Sequence, residues 1–396
     1  MAETLFKITD YTAKYEPIMK FNKNKNEFIH KWYPFVEGYS REFITSILDE
    51  LDYVPECCLE PFMGSGTTPV ELQIQEIKCI SFEVSPFMYL LARVKMRIDY
   101  TYSGFLKYLN EVKRLLGNTP KDFDNSIEKP KLNTITENGQ LKKWLFHKEE
   151  LNSILDIKYA IKQIPDQKYR DLFSIALASI LLEISNVYRN GKCLSYKENW
   201  ETTKRTRTDV HTLFIDKLNK VFKKDIGEID INNNVLNYKF SNYENAIYGD
   251  VRKELSKVAD DSIDLVITSP PYLNSRDYTD IYMVELWVLD LIKTYPTLAD
   301  LRKRTIRSHV QVKHGLIEEL EIPMLKKALT ELGEHKDDFW NSELPNMILG
   351  YFRDMDTLFS ILSKKMIPKK KIFFNVANSA YYGVEFKVDE IVAQIA

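Results

Sequence analysis

The tetrapeptide Ser269-Pro270-Pro271-Tyr272 concentrates more chemistry than any other stretch of this chain. Two prolines fix φ and carry no N–H, so the carbonyls of the segment are left to accept hydrogen bonds. A serine hydroxyl and the Pro270 carbonyl can together accept the two hydrogens of an exocyclic amine, while the tyrosine ring stacks on the base that bears it. Such acceptors hold the nitrogen lone pair toward an electrophilic methyl group. In isolation the tetrapeptide is equally a proline-rich turn that closes a strand. The residues before it, Ile263-Asp264-Leu265-Val266-Ile267-Thr268, read as a buried strand. Open α/β sheets bind ligands at the carboxyl ends of their strands.

A second constellation is Glu60-Pro61-Phe62-Met63-Gly64-Ser65-Gly66-Thr67-Thr68. It follows the short apolar run Glu56-Cys57-Cys58-Leu59 and precedes a helical first turn at Pro69-Val70-Glu71-Leu72-Gln73. The implied order is strand, glycine turn, helix. Glycines let a backbone approach a ligand closely and reach positive φ. The helix N-terminus adds a partial positive charge that suits a carboxylate. No third glycine follows at the dinucleotide spacing, and no Gly-Lys-Ser/Thr follows either, so neither the G-x-G-x-x-G fingerprint nor a P-loop is present. Cys79-Ile80-Ser81-Phe82-Glu83 reads as the next strand. It ends in an acid where nucleotide-type folds hold ribose hydroxyls. An isolated acid there would be a solvated strand end; beside the glycine loop the ribose role is favoured.

These stretches together resemble S-adenosyl-L-methionine-dependent DNA amino-methyltransferases. The serine-led catalytic loop is the variant associated mainly with N4-cytosine methylation; Asp or Asn at its first position is more usual for N6-adenine. His30-Lys31-Trp32-Tyr33-Pro34-Phe35 resembles the family segment that packs on the cofactor, through His30 and Tyr33. Pro61 to Thr68 resembles the methionine-binding loop, with Pro61, Phe62, Gly64, Gly66, Thr67 and Thr68 as its contacts. Glu83, followed by Ser85-Pro86, resembles the ribose-binding strand end. Tyr248-Gly249-Asp250 resembles the strand end where an acid, Asp250, faces the adenine. Asn375-Val376-Ala377-Asn378-Ser379 resembles the fifth strand and its turn.

The resemblance implies S-adenosyl-L-methionine as cofactor and double-stranded DNA as partner. It implies a flipped cytosine held by Ser269, Pro270, Pro271 and Tyr272, because a base inside a duplex cannot reach such a pocket. The cytosine amine is a poor nucleophile, so catalysis would be positioning and electrostatics, with no covalent enzyme intermediate. Methylating a ring carbon would instead need a cysteine nucleophile. Cys57, Cys58 and Cys79 fall in predicted core strands, and neither they nor Cys193 follow a proline in a candidate loop. Two other readings stay open: an N6-adenine DNA or RNA methyltransferase, and a cofactor- or DNA-binding module that needs a partner for turnover.

Composition bounds the remainder. With 396 residues, 44% of them apolar, the chain can bury a sizeable core and hold two or three domains. No Cys-x-x-Cys pair is present, which argues against zinc and redox sites, and no metal is expected. No apolar run of membrane-spanning length and no secretory pattern occur, so a cytoplasmic protein without membrane partners is expected. The formal net charge is −2, so attraction to phosphate must come from local patches. Lys204-Arg205-Thr206-Arg207 is one. Arg302-Lys303-Arg304-Thr305-Ile306-Arg307, extended by Lys313 and His314, is another, and it follows the catalytic loop. Arg302, Arg304, Arg307 and Lys313 therefore join Arg276 as candidate DNA contacts, against the plain alternative of a solvated charged face. The neighbouring Asp277 reads as a helix cap. Lys364-Lys365 and Lys369-Lys370-Lys371 read as a solvated turn and strand edge.

The expected fold class is α/β, a Rossmann-like sheet with a helical insertion. Residues 1–100 would hold a loose N-terminal arm, to about residue 25, and the first half of the cofactor-binding domain. Residues 101–240 would be the helical insertion, with helices at Phe105–Leu116, Glu149–Ile164, Tyr169–Tyr188 and Thr208–Val221, the third closed by a polar glycine turn through Lys192. Residues 241–396 would complete the catalytic domain around a second insert at about 295–345, with one apolar helix over Ile281–Leu291. Five parallel strands are predicted at 56–60, 79–83, 246–249, 263–268 and 371–376. The family's sheet normally has seven. The sequence therefore predicts a sheet incomplete at its C-terminal side, completed by another polypeptide, belonging to a fragment, or built in an unusual order. A cognate restriction endonuclease is the other expected partner.

Overall fold

A computed structural model describes residues 9–396 except 36, 118–126, 192, 237–240, 275, 314 and 316. His314 and Lys192 of the sequence reading lie outside the described residues. Nine strands follow in chain order: β1 Cys57–Glu60, β2 Lys78–Glu83, β3 Val187–Arg189, β4 Leu194–Tyr196, β5 Ala246–Tyr248, β6 Ile263–Thr268, β7 Met366–Phe374, β8 Ser379–Tyr381 and β9 Val384–Phe386. Five of them make one sheet in the order β5-β2-β1-β6-β7, every pair parallel. Parallel neighbours need crossovers, and helices supply them. Thr67–Ile74 links β1 to β2, Pro86–Met96 leaves β2, and Leu344–Lys365 enters β7. This is the expected α/β class, with all five predicted strands present.

The period of two along the strands sorts side chains to the two faces. Cys58, Cys79, Leu265 and Ile267 pack with Phe43, Ile44 and Ile47 of the helix Arg41–Asp49. Leu59, Phe82 and Val266 face the other way, toward Tyr351, Met355 and Leu358 of the helix Leu344–Lys365. The cysteines of β1 and β2 are thus sheet residues, and Cys193 is exposed. All six residues of β6 are buried. Its one acid, Asp264, accepts from the N–H groups of Glu56 and Cys57 at 2.7 and 3.0 Å and so aligns β1 beside it.

Several local expectations change. Within the N-terminal segment expected to be loose, Phe21 and Asn24 are buried. Asn24 donates to Tyr39 O at 3.1 Å and accepts from Arg41 N at 2.9 Å. The helix Gln167–Ile184 stops at Ser185, and the polar stretch after it is a β-ribbon, β3 with β4. The apolar run after Ser269–Tyr272 divides into Tyr278–Ile281 and Met283–Val288. β7 begins five residues early, at Met366, which pairs with Ile263; the register then breaks before Lys371 meets Leu265, and Lys369 within the break has φ +68°. Proline and lysines on an edge strand discourage further pairing. Among the described residues β7 is one edge of the sheet and β5 the other. β8 and β9, beyond β7, form a separate antiparallel ribbon. The segment between β2 and β5 carries the helices Tyr102–Gly117, Lys148–Lys162, Gln167–Ile184, Arg207–Lys217 and Lys223–Leu236, which share one large apolar core. No helix among the described residues is long and apolar enough to cross a membrane.

Candidate active site

The carboxyl ends of β1, β2, β5 and β6 open on one cavity of about 330 Å³. Its wall includes Pro61, Phe62, Gly64 and Thr67 of the glycine loop, then Glu83 and Asp250, and Ser269, Pro270, Pro271 and Tyr272 of the proline loop. The two central motifs, far apart in sequence, therefore meet because their strands are neighbours in the sheet.

Three contacts shape the glycine loop. Gly66 has φ +84°, and a Cβ there would stand 2.9 Å from Ala92 Cβ, so only glycine lets the loop lie on the helix Pro86–Met96. Gly64 N–H donates to Glu83 Oε2 at 2.9 Å, and Ser85 N–H donates to Oε1 at 2.7 Å. Burial pushes the Glu83 carboxyl up to about 7, against the pull of those two donors. Beneath the loop, Glu60 gathers donors from three elements. Tyr39 and Thr68 hydroxyls reach Oε2 at 2.7 and 2.9 Å, Phe62 N–H reaches Oε1 at 3.0 Å, and Thr268 Oγ1 completes the set. Burial pushes Glu60 up to about 7 as well. One carboxyl thus ties the glycine loop to the last residue of β6, immediately before Ser269.

The proline loop is fixed from behind. Ser269 Oγ donates to Asn375 O at 3.2 Å and accepts from Asn375 Nδ2 at 3.3 Å. Asn375 Nδ2 also donates to Tyr272 Oη at 2.9 Å. Ser269 Oγ also lies 3.3 Å from Tyr272 Oη; with its proton on Asn375 O it keeps a lone pair for a further donor. Leu273 O accepts from Tyr381 Oη of β8 at 3.1 Å and from Ser379 Oγ, so the terminal ribbon buttresses this loop.

Other residues of the sequence reading stand elsewhere. His30 is fully buried behind the wall, with Nε2 2.8 Å from Glu71 Oε1. Tyr33 is buried and donates to Glu285 at 2.7 Å. Gly66 and Thr68 support the loop from below rather than forming the wall. Asp250 is on the wall, but both its oxygens are bound by Arg252 at 2.8 Å. Of the candidate DNA contacts, Arg302 pairs with Asp277 at 2.5 Å and Asp280 at 2.6 Å. Arg307 pairs with buried Asp354 at 2.6 Å. Arg304 and Arg276 line the cavity, and Lys313 is exposed. Asp277 caps the helix Tyr278–Ile281 by accepting from Thr279 N, as expected.

The wall fits a cofactor with a ribose, an apolar body and a charged amino-acid end. Each Glu83 oxygen keeps a lone pair for a hydroxyl beyond the N–H it holds. Phe35, Met63, Phe82 and Met88 supply apolar surface, and Lys20, from the segment expected to be loose, brings a cation. Among the described residues no group of His, Cys, Asp and Glu has metal-binding geometry. Glu60, Asn375, Lys20 and Glu37 are site residues that sequence reasoning missed. Only Glu60 and Asn375 left a signal, by lying inside recognised motifs.

The chain is similar to the Type II methyltransferase M.BsoBI of Geobacillus stearothermophilus, 25% identical over 96% of this chain and 80% of that protein. It is likewise 25% identical to the Type II methyltransferase M.AvaI of Anabaena variabilis, over 96% of this chain and 80% of that one. The Type II methyltransferase M.MvaI of Kocuria varians is 22% identical over 94% of this chain and 82% of its own. No family model matches the chain. No solved structure matches it.

Proposed function

We propose that this chain methylates the N4 amine of a cytosine flipped out of double-stranded DNA, using S-adenosyl-L-methionine, as the modification partner of a restriction endonuclease. The observation that carries the reading is the single cavity whose wall holds both the glycine loop and Ser269–Tyr272. Similarity to Type II methyltransferases over nearly the whole chain supports it. Serine at the head of the loop favours cytosine over adenine.

In this reading Gly64, Thr67, Glu83 and Lys20 hold the cofactor, which supplies an electrophilic methyl on sulfur. Ser269 Oγ and Pro270 O accept the amine hydrogens, and Asn375 orients the serine for that task. Tyr272 stacks on the base. Arg276, Arg304 and Lys313 are the cations left to meet phosphate, since Arg302 and Arg307 are held by carboxylates. Preorganised acceptors of this kind lower the barrier without rearrangement during the reaction.

Labelled S-adenosylmethionine and mixed-sequence duplex DNA test the reading, with nucleosides resolved by mass spectrometry. N4-methylcytosine is expected. N6-methyladenine would overturn the base assignment, and absence of any labelled nucleoside would overturn the activity.

A further inference from the structure

The cavity contains a carboxyl that no sequence motif announced. Glu37 lies on its wall with Tyr272, Arg276, Tyr278 and Tyr282. Its Oε2 accepts from Tyr282 Oη at 2.7 Å. Tyr282 is itself clamped: Phe35 stacks on its ring at 6.0 Å, and the Arg189 guanidinium lies 4.3 Å from its centroid. Arg189 is anchored in turn on Glu285 at 2.6 Å and on Ile281 O at 3.0 Å. Glu37 is therefore held through Tyr282 and stands beside Tyr278 and Arg276, on the wall that also carries Tyr272.

Methylating an amine creates a need that Ser269 and Pro270 cannot meet. Their oxygens hold the amine hydrogens, but a serine hydroxyl and a carbonyl are far too weak as bases to keep a proton. We propose that Glu37 is the catalytic base of this site, receiving the proton lost by the newly methylated amine. The step balances simply. One N–H bond breaks, its electron pair stays on nitrogen, the proton bonds to a Glu37 carboxylate oxygen and then passes to water. Before transfer the same anion faces the nitrogen on which positive charge develops, and an anion so placed stabilises that charge.

The other two carboxylates on the wall are engaged. Glu83 holds two backbone N–H groups, and Asp250 holds Arg252 through both oxygens. His309 Nε2 lies 3.1 Å from Thr305 Oγ1, on the segment behind Arg304. Burial raises the Glu37 carboxyl above its ordinary range, opposed by the Tyr282 hydrogen bond and by Arg189 and Arg276. Those two cations, with the Tyr278 and Tyr282 phenols, are the titratable groups that face it. A carboxyl raised in this way is a better proton acceptor than a solvated one. Its ionised form is required, so the rate should fall on the acid side, at a pH above the usual carboxylate range.

This inference rests on the methyl-transfer reading, so wild-type transfer to duplex DNA is measured first; its absence refutes that reading before any variant is made. Glu37→Gln keeps an acceptor for Tyr282 but no basic oxygen. The expected result is single-turnover transfer lowered by about 100-fold or more, an acid limb abolished, and a calorimetric cofactor Kd unchanged. Glu37→Asp should recover part of the rate and the acid limb. Unchanged transfer by Glu37→Gln would overturn the proposal. So would a weakened cofactor Kd with normal transfer at saturation, which would assign Glu37 to the cofactor's ammonium group. Loss of the acid limb in His309→Asn but not in Glu37→Gln would move the base to His309.

Discussion

Lys95 offers the sharpest test of how the glycine loop is supported. Its side chain is fully buried, and Nζ donates to Ser65 O at 3.1 Å. The Phe21 ring centroid lies 6.0 Å away, and buried His30 is within reach of its charge. Among the described residues no carboxylate pairs with it. A buried ammonium with one carbonyl and no counter-ion has lost its hydration almost uncompensated. Desolvation accordingly pulls its pKa from 10.5 down to about 7. The folded value lies below the unfolded one, so between these limits the unfolded chain binds the extra proton and stability rises with pH. Below about pH 7 both states are charged and the whole cost is present, ~5 kcal/mol at ~1.4 kcal/mol per pH unit. Lys95→Met removes that cost but leaves the Ser65 carbonyl without its donor, ~1 kcal/mol. The variant should therefore be more stable than wild type near pH 6, and its advantage should shrink by ~3 kcal/mol near pH 9.5. Urea unfolding at the two pH values measures this. Because the bond to Ser65 shapes the loop, the same variant should bind S-adenosylmethionine more weakly even where it is more stable. A stability difference that ignores pH, or a variant weaker than wild type near pH 6, would refute the reasoning.

Three other outcomes follow from the site. Tyr272→Ala should lose base stacking worth roughly 1–3 kcal/mol, or about 5- to 150-fold in transfer rate, with calorimetric cofactor affinity kept; equal loss of both would deny the tyrosine its place against the base. Gly66→Ala must put a Cβ 2.9 Å from Ala92 at φ +84°, which should cost ~2–4 kcal/mol in denaturant unfolding from backbone strain and overpacking together; a normal midpoint would mean the loop can move away. Arg304→Ala should make the salt dependence of DNA binding shallower by about one counter-ion, while Arg307→Ala should lower stability and leave that slope alone; the reverse pattern would reassign the two.

What the sequence reveals of this fold divides along a physical line. β6 is legible because a strand buried on both faces reads as a nearly continuous apolar run, broken here by Asp264. The glycine loop is legible because its conformation excludes other residues at Gly66. Both signals are local. The ion pairs are not: Arg307 finds Asp354, 47 residues on, and a basic run that reads as a phosphate patch is largely spent on internal carboxylates. The β3–β4 ribbon was hidden for a related reason, since Asn190-Gly191 marks a turn after a helix as well as it marks a hairpin tip.

Glu60, Asn375 and Glu37 show the same line inside the cavity. Glu60 and Asn375 sit in recognised stretches, yet their work is to receive or give hydrogen bonds across the sheet, to Thr268 in one case and to Ser269 and Tyr272 in the other. Glu37 has no motif at all; only the packing of Tyr282 and Arg189 makes it a feature of the site. The consequence is that the reactive loop can be found by its residue types, but its preorganisation cannot. If catalysis here is mainly electrostatic positioning, the residues that decide the rate lie as much in these supports as in Ser269 and Tyr272. Variants of Asn375 and Glu60 should then lower transfer while leaving every residue of the reactive loop unchanged.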